Sequence, residues 1–441
     1  MQVKSESFGL PEATIVVLAV TAALGTYLFP IEVGVGLFGF RLLVTLIALF
    51  LVVSGRGVIL DVEALSRWFF YFGFIWIGWG LLALIWSPLV WGTSIPTGLI
   101  ELLAVVFGFV AVAIVLNMML RSTRALNALR FGWTAAFVVT AIVALWEIST
   151  GNHLSGYQEE LDNPRVGQIV ISTFGNPNNY AAFLSLCLPF LIWSARVESR
   201  WRRFAYVLLC VALLVLIVVS GGRLAQLAVG LELILLLVFV SFRGKRLVLL
   251  TGTALVVFSL LLSPDYLEEN SSLKLLRIYD EFVTGGSATI RLNLFRDGVD
   301  FVRRSWGMGV GPANFQHMLT TGQGPYPTEG FVNPHNFWLE IASQYGVIVL
   351  FFFVGWLLFG LYRFWRIRRQ AQAQGEQGEL LAAESAILGI VAYLFAAAEN
   401  SSYIAQQTNW MFLASLLAIG AVIARNNKRR SLPTDSSMIG L

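Results

Sequence analysis

Twelve stretches of this chain are each apolar for about the length that crosses a lipid bilayer, and they restrict its fold more than any other feature. A spanning helix needs about 20 largely apolar residues. Such runs lie at roughly 11–30, 35–54, 68–87, 97–120, 131–149, 177–195, 204–220, 224–242, 247–263, 338–362, 381–398 and 410–424. Backbone amides and carbonyls in hydrocarbon must pair within their own segment, so each run is expected to be a helix. The expected fold is an all-α polytopic membrane protein with about 12 transmembrane helices. Composition agrees: 57% of residues are hydrophobic, 13% are charged, and the mean hydropathy is +0.74. A soluble domain carries about a quarter charged residues. Residues 1–430 are therefore read as one integral membrane domain, and 431–441 as a disordered cytoplasmic tail. The first run is long and has no small-residue cleavage site, so no cleavable signal is expected. Cys187 and Cys210 fall inside apolar runs, where a thiol is a packing residue more often than a disulfide or metal site.

The basic residues orient the runs. With the first residue inside, 21 of the 30 Lys and Arg fall on the inner segments, in groups such as Arg121, Arg124 and Arg130, or Arg363, Arg366, Arg368 and Arg369. The remaining nine, Arg41, Arg165, Arg223 and Arg291 among them, fall on the outer side. Short cytoplasmic loops are rich in Lys and Arg, and removing one helix would invert half of this pattern. Both termini are thus expected in the cytoplasm.

Two outer segments are long. Residues 150–176 lead into Gly175-Asn176-Pro177-Asn178-Asn179, where Asn176 is placed to cap the sixth helix and Pro177 to occupy its first position. Capping leaves Asn178 and Asn179 unexplained at the start of a membrane helix. The other segment, about 263–337, is the one long polar interruption of the chain, an extracytoplasmic loop expected to contain amphipathic helices. Inside it, residues 290–306 show helical periodicity. At 100° per residue, Leu292, Leu294, Phe295, Val299, Phe301 and Val302 share one arc, with Asn293, Arg296, Asp297, Asp300, Arg303 and Arg304 opposite.

Arg291 stands in the middle of the apolar arc. An arginine there either snorkels or pairs with a buried carboxylate, or it serves function. Arg223 follows Ser220-Gly221-Gly222 between two closely spaced helices, where it marks the membrane boundary or faces an anion. Two arginines converging on an outer cavity would grip a diphosphate, because a guanidinium meets phosphate oxygens bidentately. His335, in Asn333-Pro334-His335-Asn336, can take a proton from a hydroxyl near neutral pH. Glu340, five residues on, is its expected orienting partner or a buried polar residue. His153 and His317 have less constrained settings. The acids of the loop, such as Asp265, Glu268 and Asp280, have no metal-ligand spacing, so no metal is expected.

Asn333-Pro334-His335-Asn336-Phe337-Trp338-Leu339-Glu340, with Gln344-Tyr345-Gly346 behind it, resembles the His-Asn-x-x-Leu…Gly signature of the bacterial O-antigen ligase/polymerase superfamily. Arg291, then Gly307-Met308-Gly309-Val310-Gly311-Pro312-Ala313-Asn314-Phe315, is similar to that family's Arg…Gly-x-Gly-x-Gly-x-x-Phe stretch. Ser220-Gly221-Gly222-Arg223 resembles its Ser-x-x-Arg helix start. The detailed likeness covers about 175–355, and Pro334 stands where many members have a small residue. The resemblance implies a membrane fold like that of C-type glycosyltransferases, acting on an undecaprenyl-diphosphate-linked glycan without nucleotide sugar, metal or other cofactor. It implies His335 as base and Arg223 and Arg291 as donor diphosphate ligands. Asn178, Asn179, Asn336 and Glu340 are the candidates for glycan or lipid contact.

The function expected from this is inverting transfer of a glycan to an acceptor hydroxyl at the outer face of a bacterial inner (cytoplasmic) membrane. The acceptor would be lipid A-core or a growing polysaccharide, for a ligase or a polymerase respectively. Membrane lipids are the other partners, and no nucleic acid is expected. A transporter or flippase of lipid-linked glycans is the alternative, since twelve helices with both ends inside also suit one. A transporter would show internal repeats and charges at mid-depth, whereas the unusual charges here sit at outer helix ends.

Overall fold

The computed structural model describes residues 9–25, 31–33, 35–55, 63–154, 170–239, 287–400 and 402–431, and most of these residues are helical. The chain opens with α1 (Leu10–Leu24), strands β1 (Ile31–Val33) and β2 (Val35–Leu37), and α2 (Gly39–Val53). Then come α3 (Ala64–Trp91), α4 (Ile95–Arg121), α5 (Ala125–Thr150), α6 (Pro177–Val197), α7 (Arg200–Ser220) and α8 (Arg223–Phe239). The second half holds α9 (Ser287–Arg304), α10 (Asn314–Thr320), α11 (Phe337–Tyr345), α12 (Val347–Gln374), α13 (Gln377–Ala396), a 3-10 turn (Tyr403–Ala405) and α14 (Gln407–Ser431). By length and composition α3 to α7 and α12 to α14, eight helices among the described residues, can each cross a membrane. The chain is a multi-pass membrane protein. The run at 247–263 and the loop residues up to 286 lie outside the described residues, as does the tail from 432.

Three of the expected runs need correction. Between the first two runs, β1 and β2 form a short antiparallel hairpin with Ile31 opposite Leu37, in an otherwise helical bundle. That stretch, Ile31-Glu32-Val33-Gly34-Val35-Gly36-Leu37, has β-branched residues at 31, 33 and 35 and begins in the gap between the runs 11–30 and 35–54. As a result α1 and α2 have 15 residues each, about 22 Å at 1.5 Å per residue, less than the hydrocarbon thickness. The run 338–362 is broken at Gly346 (φ +92°) into α11 and α12. Charged residues do not end the last long helices: α12 continues past Arg363 to Gln374, and α14 past Arg425 to Ser431.

Packing follows burial. Helices α6, α13 and α14 are almost wholly enclosed, whereas α7 keeps an apolar outer face of Phe204, Leu208, Val211 and Val215. In the centre Trp133 stacks on Phe190 with ring centroids 4.9 Å apart and donates its indole N–H to Ser415 at 2.9 Å. That geometry fills the core and also satisfies the one polar atom of the ring. The basic residues of α6, α12 and α14 gather at one end of the bundle. There Arg196 and Arg368 share the buried Glu384 carboxylate, at 2.5 and 3.0 Å, and Arg363 pairs with Glu63. The other end receives the starts of α2, α6, α8 and α14 and the end of α13, and the segment 287–346 covers it.

Candidate active site

Local sequence explains how each piece reaches that end. Asn176 is extended and its side chain accepts from the amides of Asn178 (2.9 Å) and Asn179 (3.4 Å), with Pro177 at the first helical position of α6. The cap was legible, and the structure adds where Asn178 goes. Gly221 (φ +73°) ends α7 and lets the chain reverse into α8 within two residues. A Cβ on Gly222 would lie 2.5 Å from Ala181 Cβ, so glycine is what allows the start of α8 to lie directly on α6 beside Asn178.

The convergence point is a residue that the reading of the sequence passed over, Glu399. Its side chain is 5% exposed, and Oε1 accepts from Arg291 Nη1 at 3.0 Å. Oε2 accepts from the amide of Leu224, the second residue of α8, at 2.8 Å. Asn178 completes the group: its amide nitrogen donates to Glu399 Oε1 and its oxygen accepts from Arg291 Nη2, both at 3.1 Å, in the orientation that satisfies both partners. Arg291 therefore does not snorkel alone. It is paired with a buried carboxylate but still 40% exposed. Arg223, half-buried and itself engaged in contacts, precedes Leu224 and so begins at the same corner. Arg291, the Asn178 carboxamide and the first amides of α8 thus meet around the Glu399 carboxylate, with the backbone of Arg223 beside them.

His335 is tied to this corner through the segment between α13 and α14. Ser402 donates to Asn333 Oδ1 at 3.1 Å, and the amide of Phe337 donates to the carbonyl of Ala397 at 3.0 Å. The His335 backbone lies in the left-handed region (φ +46°), a conformation that histidine adopts more readily than most side chains but which still costs about 1–3 kcal/mol. Its ring sits edge-on to Phe331, centroids 6.2 Å apart, and Nδ1 is buried without a hydrogen-bond partner among the described residues. Burial first, and the nearby Arg291 charge second, push the imidazole down to about 4. It is neutral at pH 7, the state in which a ring nitrogen can accept a proton.

The remaining candidates have structural places. Asn336 caps α11, accepting from the amide of Leu339 at 3.1 Å. Glu340, 1% exposed, does not orient His335. Its Oε2 accepts from the amides of Tyr403 (3.1 Å) and Ile404 (3.5 Å), fixing the turn that follows Glu399. Asn179 is buried beside Asn178. His153 bonds Glu147 at 3.0 Å, and His317 packs against Gly92. The glycine-rich stretch is a clasp. Val310 and Gly311 donate to the carbonyls of Ser343 and Gln344 at 2.7 and 2.9 Å, and Val347 donates to Gly307 at 2.9 Å. A Cβ on Gly309 would lie 2.6 Å from the Gln344 carbonyl oxygen, so the two backbones meet directly. Among the described residues no group of His, Cys, Asp and Glu is placed to hold a metal ion.

The covering helix α9 forms where expected, but its buried stripe is turned. Leu294, Asp297, Gly298 and Phe301 face inward, while Phe295 and Val299 are exposed. Gly298 lets Leu339 of α11 pack on the helix backbone, and Asp297 accepts from the Tyr326 amide at 3.2 Å. Inward polar bonds to the loop, also including Asn293 to the carbonyl of Pro327 at 2.8 Å, outweigh simple amphipathicity.

Residues 208–354, the stretch that carries Arg223, Arg291 and His335, match the model of the O-antigen ligase family. The chain is also 23% identical over 437 residues to the teichuronic acid biosynthesis protein TuaE of Bacillus subtilis (strain 168), covering 94% of this chain and 85% of that protein. Both findings support the resemblance to the O-antigen ligase/polymerase superfamily read from the motifs.

Proposed function

We propose that the chain is a membrane glycosyltransferase that moves a glycan from an undecaprenyl-diphosphate carrier to an acceptor hydroxyl at the extracytoplasmic face of the cytoplasmic membrane. The observation that carries this reading is the corner where Arg291, Asn178 and the start of α8 meet around Glu399, with neutral His335 tied alongside. His335 takes the proton of the acceptor hydroxyl as its oxygen bonds the anomeric carbon. The bond from that carbon to the diphosphate breaks, and undecaprenyl diphosphate leaves with the electron pair. One displacement inverts the anomeric centre. Arg223 and Arg291 meet the charge building on the leaving group, and a preorganised donor of this kind is worth about 10²–10³ in turnover. No metal takes part in this account. Glu399 holds the Arg291 guanidinium in place, and Asn178 bridges the two.

The relative's role in teichuronic acid biosynthesis favours a growing surface polysaccharide over lipid A-core as acceptor. The test uses purified protein in bilayers with a lipid-linked oligosaccharide as donor. A product ladder supports a polymerase and a single adduct a ligase, each unchanged by EDTA. No product of either kind, with movement of the donor across the bilayer instead, would replace this account with a flippase.

A further inference from the structure

The chain that brings Asn178 to the Arg291 corner is held from behind by a second polar group, at the end of α5. Glu147, in the last turn of that helix, is buried, and both of its oxygens are bonded. Oε2 accepts from two successive amides, that of Ile171 at 3.0 Å and that of Ser172 at 2.7 Å. Oε1 bonds Nδ1 of His153, itself buried, at 3.0 Å. Neighbouring amides aimed at one oxygen make a small anion cradle, filled here by a side chain of the protein's own. To aim them so, Ser172 takes a left-handed backbone (φ +51°), which is uncommon outside glycine.

Two more bonds fasten the same turn. Ser172 Oγ donates to the Thr140 carbonyl of α5 at 2.8 Å, and Thr173 Oγ1 donates to the Ala23 carbonyl of α1 at 2.6 Å. Contacts then run without a gap to the Arg291 corner. The Phe174 amide donates back to the Ile171 carbonyl at 3.1 Å, and the Phe174 ring stacks on Phe183 of α6, centroids 4.9 Å apart. Gly175 is left-handed (φ +63°), and Asn176 caps α6. Asn178, two residues on, bridges Arg291 and Glu399 at 3.1 Å to each. Hydrogen bonds weaken steeply as distance and angle depart from ideal, so a carboxamide that serves two partners tolerates little displacement of its helix. The turn that Glu147 holds is what sets where that helix begins.

We infer that Glu147, buttressed by His153, is a positioning residue of the donor site: it fixes the turn 171–174 and, through it, the Asn178 carboxamide that holds Arg291 toward the diphosphate. The inference rests on the transferase reading above, and its test separates the two. The full-length protein in nanodiscs is followed by hydrogen exchange of peptides covering 170–180, by binding of lipid-linked donor without acceptor, and by initial rates. Glu147→Leu fills similar space without an acceptor atom. Exchange over 170–180 should become at least tenfold faster, donor binding at least fivefold weaker, and the donor KM should rise while the acceptor KM stays. Glu147→Gln keeps an oxygen for both amides and an N–H for His153, so donor binding should stay within twofold. Changes at residues that do not touch ordinarily add. Here Glu147→Leu should cost little further donor binding once Asn178→Ala is present, because Asn178 carries the effect. His153→Ala removes one of three bonds to the carboxylate; it should repeat the pattern at smaller size and covers the case in which Glu147→Leu fails to fold. Unchanged donor binding in Glu147→Leu and His153→Ala beside a loss in Asn178→Ala would overturn the inference and leave the transferase reading standing. Full additivity with Asn178→Ala, an equal loss in Glu147→Gln, or a parallel rise in acceptor KM would overturn it too. Normal donor binding by both Asn178→Ala and Arg291→Lys would sink the diphosphate corner of the transferase reading and take this inference with it.

Discussion

The depressed basicity of His335 makes a prediction that separates it from an ordinary surface histidine. Its folded value, about 4, lies below the usual 6.5, so in the free protein the imidazole stays neutral until the pH falls well under 6. The acid limb of kcat/KM should then lie near pH 4–5, measurable by rate profiles at low donor concentration. Arg291→Gln removes the smaller of the two causes, so the His335 titration followed by NMR should move up, yet stop short of 6.5 because burial remains. Arg291→Lys keeps the charge and loses the fork, and transfer should fall by about 10²-fold. Glu399→Gln should also lower turnover. A double-mutant cycle with Arg291→Lys should be strongly non-additive, since each change loosens the same guanidinium. Additive losses would mean that Glu399 acts elsewhere. Arg291, Arg223 and His335 stand out as candidates in the sequence because a charge or a constrained histidine beside an apolar run is uncommon. Glu399 was not. A carboxylate at the end of the span 381–398 reads as a solvated boundary charge, and only tertiary packing brings it to Arg291, 108 residues away.

Elements were legible where their signals are local. The cap at Asn176 and the hinge at Gly221 follow from side-chain and backbone preferences alone. The break at Gly346 does not, because its cause is the clasp from 307–311, which no window along α11 and α12 contains. The facing of α9 failed for a similar reason. Periodicity counts apolar residues, whereas Asn293 and Asp297 turn inward to bond the loop at 326–327. Gly222 offers a test at this scale. A larger side chain there forces α8 off α6 and moves the Leu224 amide from Glu399. Gly222→Val should therefore cost both thermal stability and donor affinity, measured by melting and by binding of the lipid-linked donor. Gly375→Ala, at an exposed turn with open space around its Cβ position, is the comparison, and its left-handed backbone (φ +73°) predicts a modest stability loss with donor affinity intact.

At the scale of the whole molecule, apolar run length located nearly every long helix, while the short α1 and α2 show that run length alone overstates what spans. The candidate active site and the cluster around Glu384 lie at opposite ends of α6, the one at Asn178 and the other at Arg196. The orientation that this separation supports can be tested by cysteine labelling. A cysteine at exposed Gly322 should react from outside intact cells, and one at exposed Gly375 only after permeabilisation. The central claim is that one end of the bundle divides its work between a diphosphate grip and a base. The most direct test measures donor binding and product formation separately for His335→Ala, with His317→Ala as the comparison. The account predicts that His335→Ala binds lipid-linked donor as the unaltered protein does while transfer falls by about 10²–10⁴-fold, and that His317→Ala retains most of both. Near-normal transfer by His335→Ala, or loss of donor binding in step with transfer, would contradict it.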